Sequence, residues 1–286
     1  MVAAIALIAR IAQPTLIERA AAEPFRVVLI LLDATRADRF SFYGHSRDTT
    51  PFLTQLAADS AVFDRAYAVS SWTSTSVASL FSGLHPNQHH VRTGYNFARR
   101  SQRTDRPLRL NRIPDAVPLL PELMLRAGFA TFGVANNPNI CERMGFSRGF
   151  ERFAQKRERT ADVINQQALG WADELGRAQR YFLYLHYMDM HMPYRRHDPW
   201  FDATAKDASL ARYESSLGYA DSHIRELYQT LGWDKNTLLI VVADHGEEFD
   251  DHGQRGHPNQ LYAELLRVPL LVHWPGATGR GASRRR

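Results

Sequence analysis

Apolar runs and polar interruptions alternate along this chain with the spacing of strand, helix, strand, helix. Residues 26–32 (RVVLILL) form a continuous apolar stretch rich in β-branched side chains. Such a run is expected of a central parallel strand covered on both faces. Further buried strands are predicted over 129–135 (FATFGVA), 181–185 (YFLYL), 237–242 (TLLIVV) and 268–274, with a short one over 61–66. Helices are predicted over 51–59, 74–82, 118–127, 160–175, 210–231 and 260–266. Thr50 and Ser209 stand at N-cap positions, Pro51 at a first helical position, and Gly83, Gly128 and Gly232 at helix ends. The alternation implies an α/β fold, with a mostly parallel central sheet and helices on both faces.

Composition narrows this picture without redirecting it. With 286 residues, 44% hydrophobic and 23% charged, the chain can fold as one large domain or two small ones. The net charge of +5 is concentrated in segment 99–112 and tail 280–286. No nucleic-acid motif accompanies these basic runs, and no nucleic-acid partner is expected. They read either as a solvated loop and a disordered tail, or as a loop that steers an anionic substrate. Cys141 stands alone, so an intramolecular disulfide is excluded.

The ends of the chain are less regular. Residues 1–12 are apolar except for Arg10 and too few to span a bilayer. Segment 1–25 has three readings: a signal remnant ending near Ala20–Ala22, the end of a transmembrane helix, or a packed amphipathic helix. The first two imply a periplasmic, extracellular or membrane-anchored protein that meets a membrane through its N-terminus. The domain is expected over 26–276. The strand over 268–274 runs directly into a glycine- and arginine-rich tail, 277–286, as if the domain were truncated at its C-terminus.

In open α/β sheets, sites form at the carboxyl ends of the strands. Asp33 follows the first strand, His186, Asp189 and His191 follow YFLYL, and Asp244 and His245 follow TLLIVV. Thr73 begins a helix, where free N–H groups and the helix dipole favour an anion. Each has a plainer reading: a helix cap for Asp33 or Thr73, loop hydrogen bonds for His186 and Asp189. Together, two carboxylates, an imidazole and a threonine oxygen suit one divalent metal, which would acidify and orient the Thr73 hydroxyl.

These residues lie in motifs that resemble the sulfatase family of the alkaline phosphatase superfamily. VVLILLDATRADRFSFYG is similar to its opening strand and first metal-binding Asp, and SWTSTSVASLFSGLHPNQHHV to its signature. HYMDMHMPY resembles its substrate-binding His loop, and VVADHGEEFDDHGQRGH its second metal motif. The resemblance implies that Asp33, Thr73, Asp244 and His245 hold one divalent ion (Ca, Mn, Zn or Mg). It puts Thr73 at the nucleophile position. His191 and His257 would act in catalysis and contact the substrate's anionic group, with His90 and His186 as further substrate contacts.

There are departures from the family pattern. The nucleophile is Thr73 rather than the Cys or Ser that becomes formylglycine. Thr75 replaces the signature Pro, Val77 the signature Arg, Ala34 a second Asp, and His245 an Asn. The set Asp, Thr, Asp, His is similar to phosphoethanolamine transferases and lipoteichoic acid synthases, which use an unmodified Thr. The expected function is metal-dependent cleavage of a sulfate or phosphate ester of an anionic small molecule, glycan or lipid. Transfer to an acceptor alcohol, or an inactive anion-binding protein, are the alternatives.

Overall fold

The computed structural model describes residues 24–95, 98, 110–257 and 260–275. Segment 1–23, most of the basic loop 99–112 and the tail from 276 lie outside the described residues. Seven strands form one sheet: β1 (Phe25–Leu32), β2 (Ser60–Val62), β3 (Ala130–Ala135), β4 (Arg152–Gln155), β5 (Arg180–Tyr187), β6 (Thr237–Ala243) and, after a two-stranded hairpin of β7 (Glu248–Phe249) and β8 (Arg255–Gly256), β9 (Leu270–His273). Their order is β2-β9-β6-β1-β5-β3-β4. The five strands from β6 to β4 run parallel, while β9 is antiparallel to both of its neighbours.

The helices among the described residues include α1 (Pro51–Ala57), α2 (Thr73–Ser82), α3 (Pro86–His89), α4 (Leu120–Arg126), α5 (Ala161–Leu169), α6 (Ala172–Arg177), α7 (Ala208–Thr230) and α8 (Ala263–Leu266). All of β6 is buried, as is β1 from Val27 onward and β5 from Tyr181 onward. Burial of successive residues, which point to opposite faces, requires cover on both sides of the sheet.

Several boundaries differ from the sequence reading for identifiable reasons. The helix predicted over 160–175 breaks at Gly170–Trp171 into α5 and α6. Glycine favours the break, and the Trp171 ring packs on Phe132 with centroids 5.6 Å apart. Asp207, not Ser209, caps α7, accepting the N–H groups of Ser209 and Leu210. Thr50 precedes α1 without a side-chain cap. The donors of Phe52 and Leu53 go instead to the Asp221 carboxylate on α7, each at 2.9 Å. Strand β5 extends through His186, which the sequence reading placed in the following loop. No helix among the described residues is long and apolar enough to cross a membrane.

Candidate active site

Register alone brings the two acids together. Leu32 of β1 pairs with Ala243 of β6 and with Tyr187 of β5. The next residues, Asp33 and Asp244, therefore emerge side by side from adjacent parallel strands. Both are fully buried. Ala34, between Asp33 and the turn, adopts a left-handed backbone with φ 54°, an unusual conformation for alanine. It is held from both ends: its N–H donates to Asp244 Oδ1 at 3.1 Å, and its carbonyl accepts the Tyr213 hydroxyl at 2.9 Å.

His186 lies one strand over, in register with Leu31. Its Nε2 is 2.9 Å from Asp33 Oδ2 and its Nδ1 is 3.0 Å from the Tyr184 hydroxyl. With Nε2–H donating to the carboxylate and the tyrosine donating to Nδ1, both ring nitrogens are engaged. The ring is fully buried, so His186 sits behind Asp33 and orients it, rather than facing the space open to a substrate.

Thr73 opens α2 at its first helical position, with Trp72 in the extended conformation before it. Its Oγ1 is 3.3 Å from His245 Nε2. His245 Nδ1 is 2.8 Å from the Gly246 carbonyl and donates to it, which leaves Nε2 with its lone pair toward the site. Burial, and then the charge of His257, hold His245 down to about 3, a neutral ligand-ready imidazole.

Asn137 completes the cluster from a fourth strand, two residues beyond β3. Its amide donates to Asp33 Oδ2 at 2.7 Å and to Thr73 Oγ1 at 3.3 Å, and it is buried. The sequence reading missed it; its place just past the carboxyl end of β3 was the available signal.

A cation fits what this cluster leaves open. Asp33 Oδ1 and Asp244 Oδ2 are buried without hydrogen-bond partners. His245 Nε2 lies 3.8 Å from the first carboxylate oxygen and 3.6 Å from the second. One ligand atom from each of the three residues falls within 4.8 Å of the others. Burial alone would raise Asp33, but the His186 hydrogen bond, and after it the neighbouring histidines, hold it below the usual carboxylate range. Burial and the neighbouring Asp33 push Asp244 well up. Two buried carboxylates this close ionise together only with a counter-charge between them.

Beside the acids runs a row of imidazoles. The His257 ring is 4.6 Å from His245 and 4.9 Å from His191, centroid to centroid, and packs edge-on against Trp72. Its Nδ1 donates to Glu247 Oε1 at 2.9 Å. Burial opposes a charge on His257, but the Glu247 hydrogen bond and charge, with that of Asp33, outweigh it and raise the ring above the ordinary histidine value. Asp189 caps α5 through the Ala161 N–H, and burial pushes its carboxyl up to about 7. It lines a cavity of about 40 Å³ with His191, Arg159, Arg195 and His197.

The structure thus gathers Asp33, Thr73, Asp244, His245, His191 and His257. His90 stands apart: it is exposed, in the left-handed conformation at the end of α3. The buried member of that pair is His89, whose Nε2 is 2.9 Å from the Ser79 hydroxyl.

Residues 26–286 match the family model described as Sulfatase. Human N-acetylgalactosamine-6-sulfatase is 24% identical over 91% of this chain and 59% of its own length, so the chain spans about three-fifths of that relative. The C-terminal periplasmic domain of EcEptC from Escherichia coli, solved in complex with Zn, superposes with a TM-score of 0.69. It is 20% identical and covers 89% of this chain and 74% of that one. The phosphonate monoester hydrolase of Agrobacterium radiobacter gives 0.69 at 18% identity, over 88% of this chain and 68% of that one. At these identities the two structures share the fold.

Proposed function

The chain belongs to the sulfatase family, and on that premise we propose that it is a metal-dependent phosphoester hydrolase in which unmodified Thr73 is the nucleophile. The observation that carries this reading is the Thr73 hydroxyl held between His245 Nε2 and the Asn137 amide, each at 3.3 Å, in the cluster that leaves one oxygen each of Asp33 and Asp244 unpartnered. Threonine cannot be converted to the aldehyde that formylglycine chemistry requires, which favours a phosphorus centre over a sulfate ester.

Asp33, Asp244 and His245 would hold one divalent ion with Thr73; a His ligand favours Zn or Mn. Such an ion lowers the pKa of a coordinated hydroxyl and neutralises charge on the reacting ester. The residues of the chain supply the rest. Asn137 and His245 fix the Thr73 oxygen, and the N–H groups opening α2 face an incoming anion. Thr73 Oγ forms the bond to phosphorus as its proton leaves to solvent, and the ester oxygen departs with a proton from His257. Neutral His257 then takes a proton from the water that displaces Thr73, and the departing Thr73 oxygen regains a proton from solvent, restoring both groups. His191 pairs with the substrate's anionic oxygens. The cavity bearing Arg159 and Arg195 suits a second negative group on an anionic small-molecule, glycan or lipid ester.

Transfer to an acceptor alcohol would use the same first half-reaction; the likeness of the Asp33, Thr73, Asp244 and His245 set to phosphotransferases favours it as the second reading. A periplasmic, extracellular or membrane-anchored setting belongs to the same proposal. The test is turnover by metal-reconstituted protein of an aryl phosphodiester, an aryl phosphomonoester, an aryl phosphonate and an aryl sulfate, with Thr73→Ala beside it. Thr73-dependent cleavage of a phosphorus ester is expected. Thr73-dependent cleavage of the sulfate alone would overturn the choice of phosphorus.

A further inference from the structure

We propose that Glu248, His252 and Glu264 form a second divalent-cation site, separate from the Asp33–Asp244–His245 centre. One ligand atom from each of these residues lies within 4.8 Å of the other two. Glu248 is fully buried at the start of β7. Its Oε1 accepts the N–H groups of His252 at 2.8 Å and Gln254 at 3.2 Å. Its Oε2 is buried with no hydrogen-bond partner. His252 Nδ1 meets Glu264 Oε1 directly, and the His252 ring lies flat on Tyr262, with centroids 3.6 Å apart and planes 4° apart.

An ordinary ion pair explains His252 and Glu264 but not Glu248. A buried carboxylate oxygen without a partner carries a large desolvation cost. A cation among the three side chains satisfies it, with the stacked imidazole already fixed in orientation. Two carboxylates and an imidazole suit Zn, Mn or Co rather than Mg, whose shell is all oxygen. The half-exposed His252 leaves the site open to solvent, so an ion can enter and keep water ligands.

The position gives the site a purpose. Glu248 and His252 belong to the β7–β8 hairpin, which leads directly to His257. Glu264 lies in α8, whose backbone receives the Gly246 N–H through the Leu265 carbonyl at 2.7 Å. A cation here closes the 248–264 stretch on itself and clamps the segment that carries His257 beside His245. The site stands on its own ligands, whether or not the neighbouring centre catalyses phosphoester cleavage.

The experiment is a count of bound ions in the intact chain. Protein stripped with a chelator is titrated with Co²⁺, followed by its visible absorption, and with Zn²⁺, followed by elemental analysis after dialysis. Wild type is expected to bind one equivalent more than His252→Ala, and His245→Ala to retain the ion that His252→Ala loses. Glu264→Gln, which keeps shape and removes charge, should behave as His252→Ala does, with the far-ultraviolet circular dichroism of both unchanged. Equal stoichiometry and affinity in wild type, His252→Ala and Glu264→Gln would overturn the site. So would a wild type whose bound ions are all lost in His245→Ala.

Discussion

The Nδ1–H of His257 donates to Glu247 Oε1 at 2.9 Å, and Glu247 is itself fully buried. The pair favours the protonated form of the imidazole next to the acids and gives the pH profile a definite sign. Glu247 and Asp33 together raise His257 against the effect of burial. A general acid works only while protonated, so kcat/KM should be full below the His257 pKa and fall as pH rises through it. Glu247→Gln removes the charge that holds the proton. Its alkaline limb should move to lower pH. An unmoved alkaline limb, in a variant that is otherwise active, would mean that His257 is not the titrating acid.

Asn137→Ala separates positioning from ligation. The amide bridges Asp33 Oδ2 and Thr73 Oγ1, yet it leaves the unpartnered oxygen Asp33 Oδ1 untouched. Loss of such a supporting hydrogen bond costs about 10- to 100-fold in activity or metal affinity. The expected outcome is a fall in kcat of about that size, with KM nearly unchanged. Asn137→Asp should not rescue it, because it places a third carboxylate against Asp33. Steady-state kinetics with both variants decide; wild-type kcat in Asn137→Ala would remove it from the site.

Gly246 is constrained by contact rather than by an unusual φ. A Cβ there would overlap the carbonyl oxygen of Glu264 and crowd Arg36 Cγ at 3.3 Å. Overpacking against backbone costs roughly 1–3 kcal/mol or more. Gly246→Ala should lower the urea midpoint accordingly and weaken metal binding at His245, its neighbour. An unchanged midpoint would show that α8 yields freely, and that the contact does not fix the loop.

The sheet was largely legible because its strands are long, apolar and buried on both faces, as β1, β5 and β6 show. Asp33 and Asp244 were legible for the same reason: each is the first acid after such a run. The rest depends on pairings that a single sequence does not display. The apolar YFLYL run ends where polar His186 begins, yet the strand continues, because Asp33 and Tyr184 satisfy both ring nitrogens inside the core. Asn137 sits in an Asn-Asn-Pro-Asn stretch that reads as a turn, and only β3's place beside β5 brings it to Thr73. Strands β7 and β8 have two residues each, too short for any periodicity. His90 was singled out from a His-His pair; the fold buries His89 against α2 and turns His90 outward.

The proposed reaction passes through a covalent bond to Thr73, which intact-protein mass spectrometry on acid-quenched turnover can detect. His257→Ala should slow departure of the adduct, so that variant and wild type are mixed with an activated aryl phosphodiester and sampled on the same timescale. An added mass equal to the substrate's phosphoryl portion is expected, localised by peptide mapping to Thr73 and missing from Thr73→Ala. Turnover that persists in Thr73→Ala, with no adduct on Thr73 at any time, would contradict it.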